Sequence, residues 1–589
     1  MKKISWVLIF LPAYLHAQLT VETIMQDPKW IGTSPSGIVW SYDSKSIYFR
    51  WNPEKNSSDS PYNYVLAANK ISKAPYSTGK MADDIAAGKY NRLKTKICFT
   101  HNKDIYLLDK SSAKISRVTQ TAAEESNPVF MSDDNIIVYT SNNNLFAWNS
   151  ASGETKQLTN LIKGSAPPDE KNASEQQEWL KRQALQTSSV INRRTQKADS
   201  SKAFLDRNKE EKDLRKIYTG ASEVQNITVS PDERFVTYRL YQKNDDVQGT
   251  IVPAYVTREG YTKDIASRSK AGRPDGKYSS FVFDRLKDTV LQIITDSIPG
   301  LADEPQYLKE YPAKSKDSIK QPRKVYIEGP YWNDDGSTAV VDVFSLDNKD
   351  RWIMQLDATT AKLSLLDRQH DEAWIAGPGI AWLEPAKLGW LNANTFYFQS
   401  EATGYSHLYA YNIKTHTRTA ITQGKYEIQN AVLSPDKKHF FILTNEENPG
   451  KQNIYRIDVD GTNKIKLTSF TGGYEMFLSP DEKFVAYRYS YQNKPWELYV
   501  QSTEVGSRPV HVTDKAMSDA FKAYAWRDAK IVTFTARDGA QVYARVYEPK
   551  AGTKNNAAVI FVHGAGYLQN VDYWWSYYFR EMMFNNLLA

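Results

Sequence analysis

The chain has one cysteine in 589 residues. An intramolecular disulfide and a cysteine zinc cluster are therefore excluded. Cys98 lies in Lys96-Ile-Cys-Phe-Thr100, which reads as a strand, so a buried, inert thiol is expected. Long apolar runs are also missing: no segment reaches the roughly 20 residues that span a bilayer. Charge of one sign is scarce, since the formal net charge is only +7 and acids are interleaved with bases throughout. That leaves no nucleic-acid footprint. No His-x-x-x-His pair or Asp/Glu cluster stands at metal-ligand spacing, so neither metal nor cofactor is expected. There is no Gly-x-Ser-x-Gly nucleophile elbow anywhere in the chain.

Aromatic residues are abundant, at 13% with 37 Tyr and 15 Trp, which favours β-rich structure. The length exceeds one ordinary core, so two or more domains are expected. At the N-terminus, Lys2 and Lys3 precede the apolar stretch Trp6 to Leu15 and then His16-Ala17. This reads as a secretory signal peptide over 1–17. Export together with so little cysteine points to a bacterial periplasm, cell surface or secreted location.

A phrase recurs along the chain. Ser230-Pro-Asp, Ser434-Pro-Asp and Ser479-Pro-Asp each precede an apolar or aromatic run. Looser copies start at Ser41, Ser132 and Asn333. Proline fixes φ and aspartate bonds the backbone ahead of it, so each phrase is a turn leading into a half-buried strand. A second phrase closes the units: Val118-Thr119, Leu158-Thr159, Ile421-Thr422, Leu467-Thr468 and Val512-Thr513. The spacing is about 40–45 residues with four strands per unit, the pattern of a β-propeller. A stacked solenoid, the alternative, would have shorter repeats. Unit starts near 40, 95, 130, 228, 333, 392, 434 and 479 predict about eight blades over 18–525. Residues 161–217 and 243–325 read as insertions, serving either as solvated decoration or in substrate access.

After Thr513 the pattern changes. Ile531–Ala536 and Gln541–Tyr547 read as a hairpin around Asp538-Gly539. Ala557–Val562 is an uninterrupted apolar run, expected to be a strand buried on both faces. It ends in His563-Gly564-Ala565-Gly566, and Asp572 to Ala589 reads as a helix with Asp572 as its cap.

Hairpin, strand, glycine-rich turn and helix resemble the opening of an α/β-hydrolase domain over 526–589. Behind a propeller, this order resembles the prolyl oligopeptidase family of serine peptidases. Asp371-Glu-Ala-Trp374 and Ser400-Glu401-Ala-Thr-Gly404-Tyr-Ser-His407-Leu-Tyr409 are similar to phrases of its dipeptidyl-peptidase IV branch. The resemblance implies a mainly β fold, an eight-bladed propeller followed by the first part of an incomplete hydrolase domain. It implies proteolysis of peptides, with a dipeptidyl-peptidase activity as one form of it, and it admits a homodimer. It makes His563, Gly564, Ala565 and Gly566 the oxyanion element, with the alternative that His563 is only a strand-end residue. Branch members read a substrate's free amino terminus with paired acids from a propeller insertion. Glu175 and Glu178, three apart on one helix face, are the candidates here, against the alternative of a solvated helix face. The family's nucleophile, acid and base follow the oxyanion turn. Only 23 residues follow Gly566, without an elbow or a histidine. A C-terminally truncated chain, inactive by the family's mechanism and with an aggregation-prone uncovered tail, is therefore expected. A non-catalytic propeller that binds peptides or proteins is the alternative.

Overall fold

The computed structural model describes residues 19–167, 174–209, 213–267, 276–311, 322–380, 387–564 and 568–589. The expected signal peptide 1–17, and Ala565 and Gly566 of the glycine-rich turn, lie outside these residues.

Eight four-stranded antiparallel sheets follow one another along the described chain. They span 36–73, 89–117, 125–157, 223–292, 325–370, 388–420, 428–466 and 473–511, and are numbered here as blades 1 to 8. This is the expected eight-bladed, mainly β architecture. Each blade is built from one continuous stretch of chain, so the ring closes by packing between blades 8 and 1. Ile38, Trp40, Phe49 and Trp51 of blade 1 share a core with Ala486, Leu498 and Val500 of blade 8. Trp40 Nε1 donates to the Phe477 carbonyl at 2.9 Å across this seam, and Arg488 Nη1 donates to the Pro35 carbonyl at 2.9 Å.

Both sequence phrases have a structural cause. In the Ser-Pro-Asp turn, Ser479 Oγ donates to Asp481 at 2.7 Å and accepts the Phe484 amide at 3.0 Å. Ser434 does the same with Asp436 and the amide of His439, at 2.6 and 2.9 Å. The turn thus joins the first and second strands of a blade. The closing threonine lies just past the fourth strand. Its hydroxyl accepts a third-strand amide: Ile105 to Thr119, Leu145 to Thr159, Leu408 to Thr422, Ile454 to Thr468 and Leu498 to Thr513, all at 2.9 to 3.0 Å. One residue earlier in the third strand stands a polar partner for the same threonine: Asp104, Asn144, His407, Asn453 or Glu497. This latch ties the outer edge of five blades and satisfies a backbone donor that would otherwise be buried unpaired.

The insertions differ from expectation in one respect. The stretch 243–325 is not one insertion, because Lys277–Asp284 and Thr289–Gln292 are the third and fourth strands of blade 4. Lys277–Asp284 pairs in unbroken register with Phe235–Gln242, and Tyr238 stacks on Phe281 at 5.3 Å. Among the described residues, a hairpin, Thr250–Ala254 with Lys263–Ser267, projects between the second and third strands. The other insertion leaves through the parallel pair Asn160–Ile162 and Lys216–Tyr218, and carries the helices Glu175–Thr187 and Ser189–Arg207.

Beyond blade 8 the expectation fails at two points. Residues 557–562 form no strand, and Val559, Ile560, Phe561 and Val562 are 75%, 85%, 50% and 83% exposed. A strand needs neighbours for its amides, and among the described residues the hairpin Lys530–Thr535 with Gln541–Val546 pairs only with itself. The terminal helix, in contrast, is covered. It runs from Phe579 to Leu588, and Met582 and Met583 pack with Leu19, Ile24, Trp496, Phe521, Trp574 and Trp575. Asp572 does not cap it. Its carboxylate instead pairs with Arg545 at 2.6 Å and accepts the Trp574 amide at 3.3 Å, fixing the turn before the helix.

Candidate functional site

First and third strands of a blade run in one direction. The loops joining strands two and three therefore share a face of the ring with the links between blades. That face carries the helical insertion, the blade 4 hairpin and the loop 401–406. It also carries the docked tail, where Tyr573 donates its amide to the Gly450 carbonyl at 2.9 Å and Trp575 to Ser490 Oγ at 3.2 Å.

Three carboxylates from successive blades converge there. Asp371 follows blade 5, Glu401 opens the loop of blade 6, and Glu427 precedes blade 7. Each is held by backbone. Asp371 accepts the amides of Ala373 and Trp374 at 2.6 and 2.9 Å, which explains the Asp-Glu-Ala-Trp phrase as a turn. Glu427 accepts the Ser406 amide at 2.6 Å, while its own amide donates to Asn445 at 2.7 Å. Glu401 lies against Gly377, where a Cβ would come within 2.0 Å of its Oε1, so no larger residue fits. Burial, then the charges of Glu427 and Asp371, push the Glu401 carboxyl up to about 7, against the pull of the Gly377 amide. Burial raises Glu427 as well. The face therefore holds negative potential in a partly desolvated setting, suited to receive an ammonium or another cation.

His407, in the same sequence phrase, is not part of this cluster. It is fully buried, with Nδ1 3.0 Å from Thr422 Oγ1 and Nε2 2.9 Å from the Gly424 carbonyl. It is the blade 6 latch residue, and burial lowers its pKa.

Glu175 and Glu178 are in the first turn of an exposed helix, capped by Ser174 with Gln177 in a reciprocal pair. Carboxylates there offset the helix dipole. His563 is partly exposed, with Nδ1 2.9 Å from the Gly564 carbonyl. Among the described residues no group of three His, Cys, Asp or Glu side chains could hold a metal ion. No helix among them is long and apolar enough to cross a membrane. Cys98 is buried, and burial pushes its thiol up to about 12. Ser576 and Asp572 are buried in the docked tail. Sequence reading missed the acidic cluster because its members come from three blades. Its traces were Asp371 within the Asp-Glu-Ala-Trp phrase and Glu401 within the Ser-Glu phrase.

Comparison with known proteins agrees with this architecture. Residues 226–496 match the family described as the dipeptidyl peptidase IV N-terminal region, a span that includes Asp371, Glu401 and Glu427. Dipeptidyl-aminopeptidase B of Aspergillus niger is 26% identical over 158 residues, covering 24% of this chain and 17% of that protein's length. The crystal structure of Porphyromonas gingivalis dipeptidyl peptidase 4 superposes with a TM-score of 0.53 at 14% identity. It covers 90% of this chain and 67% of that one, a likeness of fold. Residues 226–496 are thus similar to the dipeptidyl peptidase IV N-terminal region, and the chain spans less than a fifth of the length of the curated relative it matches.

Proposed function

We propose that the protein is a serine-type peptidase of peptides whose propeller reads the substrate. The observation that carries this is the meeting, on one face, of the Asp371–Glu401–Glu427 cluster with the docked segment 568–589. An ammonium at a peptide's amino terminus is the natural partner of such carboxylates, which favours the dipeptidyl-peptidase form of the activity. On this reading the cluster, rather than Glu175 and Glu178, holds that ammonium. The oxyanion element His563 to Gly566 supplies backbone donors to the developing negative charge. Residues 1–589 contain no nucleophile elbow, so they form no acyl-enzyme by this mechanism.

A fluorophosphonate probe tests both halves. Residues 1–589 should stay unlabelled, and the complete gene product should react at a single serine. Labelling of residues 1–589 would overturn their inactivity. An unlabelled complete product would favour the second reading, a non-catalytic propeller that binds peptides.

Export is part of the proposal, with 1–17 as the leader. Mass measurement of the mature amino terminus tests it. A homodimer is also proposed, supported by the exposed blade 4 hairpin, whose Tyr255, Val256 and Tyr261 are 76%, 96% and 80% exposed. Light scattering after Val256→Lys would give a monomer.

A further inference from the structure

Blade 2 is built unlike the others. Its innermost strand is only two residues, Lys89–Tyr90, against five to eight in the other blades. The helix Tyr76–Ala86 packs between blades 1 and 2, with Gly79 closing on Pro61 and Ile85 buried with Ile97 and Phe99. A helix does not fill the space between two sheets as a strand does. A groove of 360 Å³ remains between it and blade 1. Trp40, Tyr42 and Tyr48 form one wall, and Thr78, Met81 and Ile85 the other.

The chemistry of the walls narrows what fits. No charged side chain lines the groove. The acids of the helix are turned elsewhere: Asp83 pairs with Arg50 at 2.6 Å and Asp84 with His101 at 2.6 Å. Aromatic faces and a thioether provide apolar, polarisable contact. The hydroxyls of Tyr42, Tyr48 and Thr78 have no hydrogen-bond partner among the described residues, and they edge the groove with donors for peptide carbonyls. The volume lies in the range of sites that enclose small ligands, roughly 300–1,000 Å³. A charged side chain would be desolvated here without a partner.

We infer that this groove is a second peptide subsite, which takes an uncharged aromatic or aliphatic side chain of an extended peptide and bonds its flanking carbonyls. The inference rests on the reading of the protein as a peptide-handling propeller. It adds a preference for apolar side chains at a place separate from the acidic cluster, on blade 1 rather than blades 5 to 7.

Photo-crosslinking tests it with the whole 589-residue chain. The probe is the acetylated, amidated tripeptide alanyl-benzoylphenylalanyl-alanine. Adducts should map to residues 76–86 or 40–48. The corresponding phenylalanine peptide should compete and the lysine peptide should not. Thr78→Trp, at an exposed position, and Ala82→Trp each fill the groove, and should cut the yield at least about tenfold with an unchanged melting midpoint. Adducts elsewhere, equal competition by the lysine peptide, or full yield in Thr78→Trp would overturn the subsite. Groove adducts with an unlabelled complete product would keep the subsite and sink the peptidase reading. Fluorophosphonate labelling with adducts elsewhere would do the reverse.

Discussion

The propeller and the segment after it solve the same problem differently. Within each blade, every inner strand has two neighbours, and the threonine latch closes the outer edge in five of them. After blade 8, among the described residues, the hairpin 530–546 has no third strand and the apolar run 557–562 has no strand partner. Yet the helix that follows is docked, with Trp574 against Gly473 and Met583 fully buried. A helix satisfies its backbone internally and needs only an apolar surface, whereas a strand needs another strand. The propeller supplies the first and not the second.

The comparison predicts that damage to the ring is global and damage to the tail local. Arg351 and Asp342 are fully buried together between blades 5 and 6, where Arg351 also donates to the Gln399 carbonyl at 2.6 Å. Arg351→Ala should cost about 3–5 kcal/mol and lower the melting midpoint of the whole propeller. A loss confined to one blade in hydrogen exchange would break the picture of a closed, cooperative ring. Trp574→Ala should cost about 3 kcal/mol of docking energy. It should leave the propeller's midpoint unchanged while residues 568–589 become open to limited proteolysis; a lowered propeller midpoint would make the tail part of the same cooperative unit.

Smaller effects probe the latch and the acidic face. Thr468→Val leaves the Ile454 amide without its acceptor and should cost about 1–3 kcal/mol by chemical denaturation. No change would reduce the latch to decoration. Glu401 is raised, so its stabilising contribution is complete below the ordinary glutamate pKa and is lost as pH rises through about 7. Glu401→Gln should therefore be more stable than the native chain at pH 8, by about 1 kcal/mol once solvent screening is allowed for. The advantage should vanish near pH 4.5; an equal difference at both pH values would remove the carboxylate from the account.

These regions also differ in how legible they were. Ser434, Ser479 and the closing threonines work through bonds within one blade, so their repetition reads directly as eight units. The unit starting near 228 was legible, but its third strand Lys277–Asp284 was assigned to an insertion, because a long hairpin separates it from its partner Phe235–Gln242. Glu401, Glu427 and Asp371 meet only because three blades bring them together. Ala557–Val562 has every local property of a strand, and local properties are insufficient when no neighbour is at hand. The docking of Trp574 on Gly473 and of Trp575 on Ser490, the latter 85 residues away, depends on distant contacts in blade 8, which no local pattern carries.

Hydrogen exchange resolved by peptide tests the contrast most directly. Amides of blades 1 to 8 and of the terminal helix 579–588 should be protected, while those of 557–562 should exchange at the rate of an unstructured chain. Protection of 557–562 equal to that of the blade strands would contradict the account.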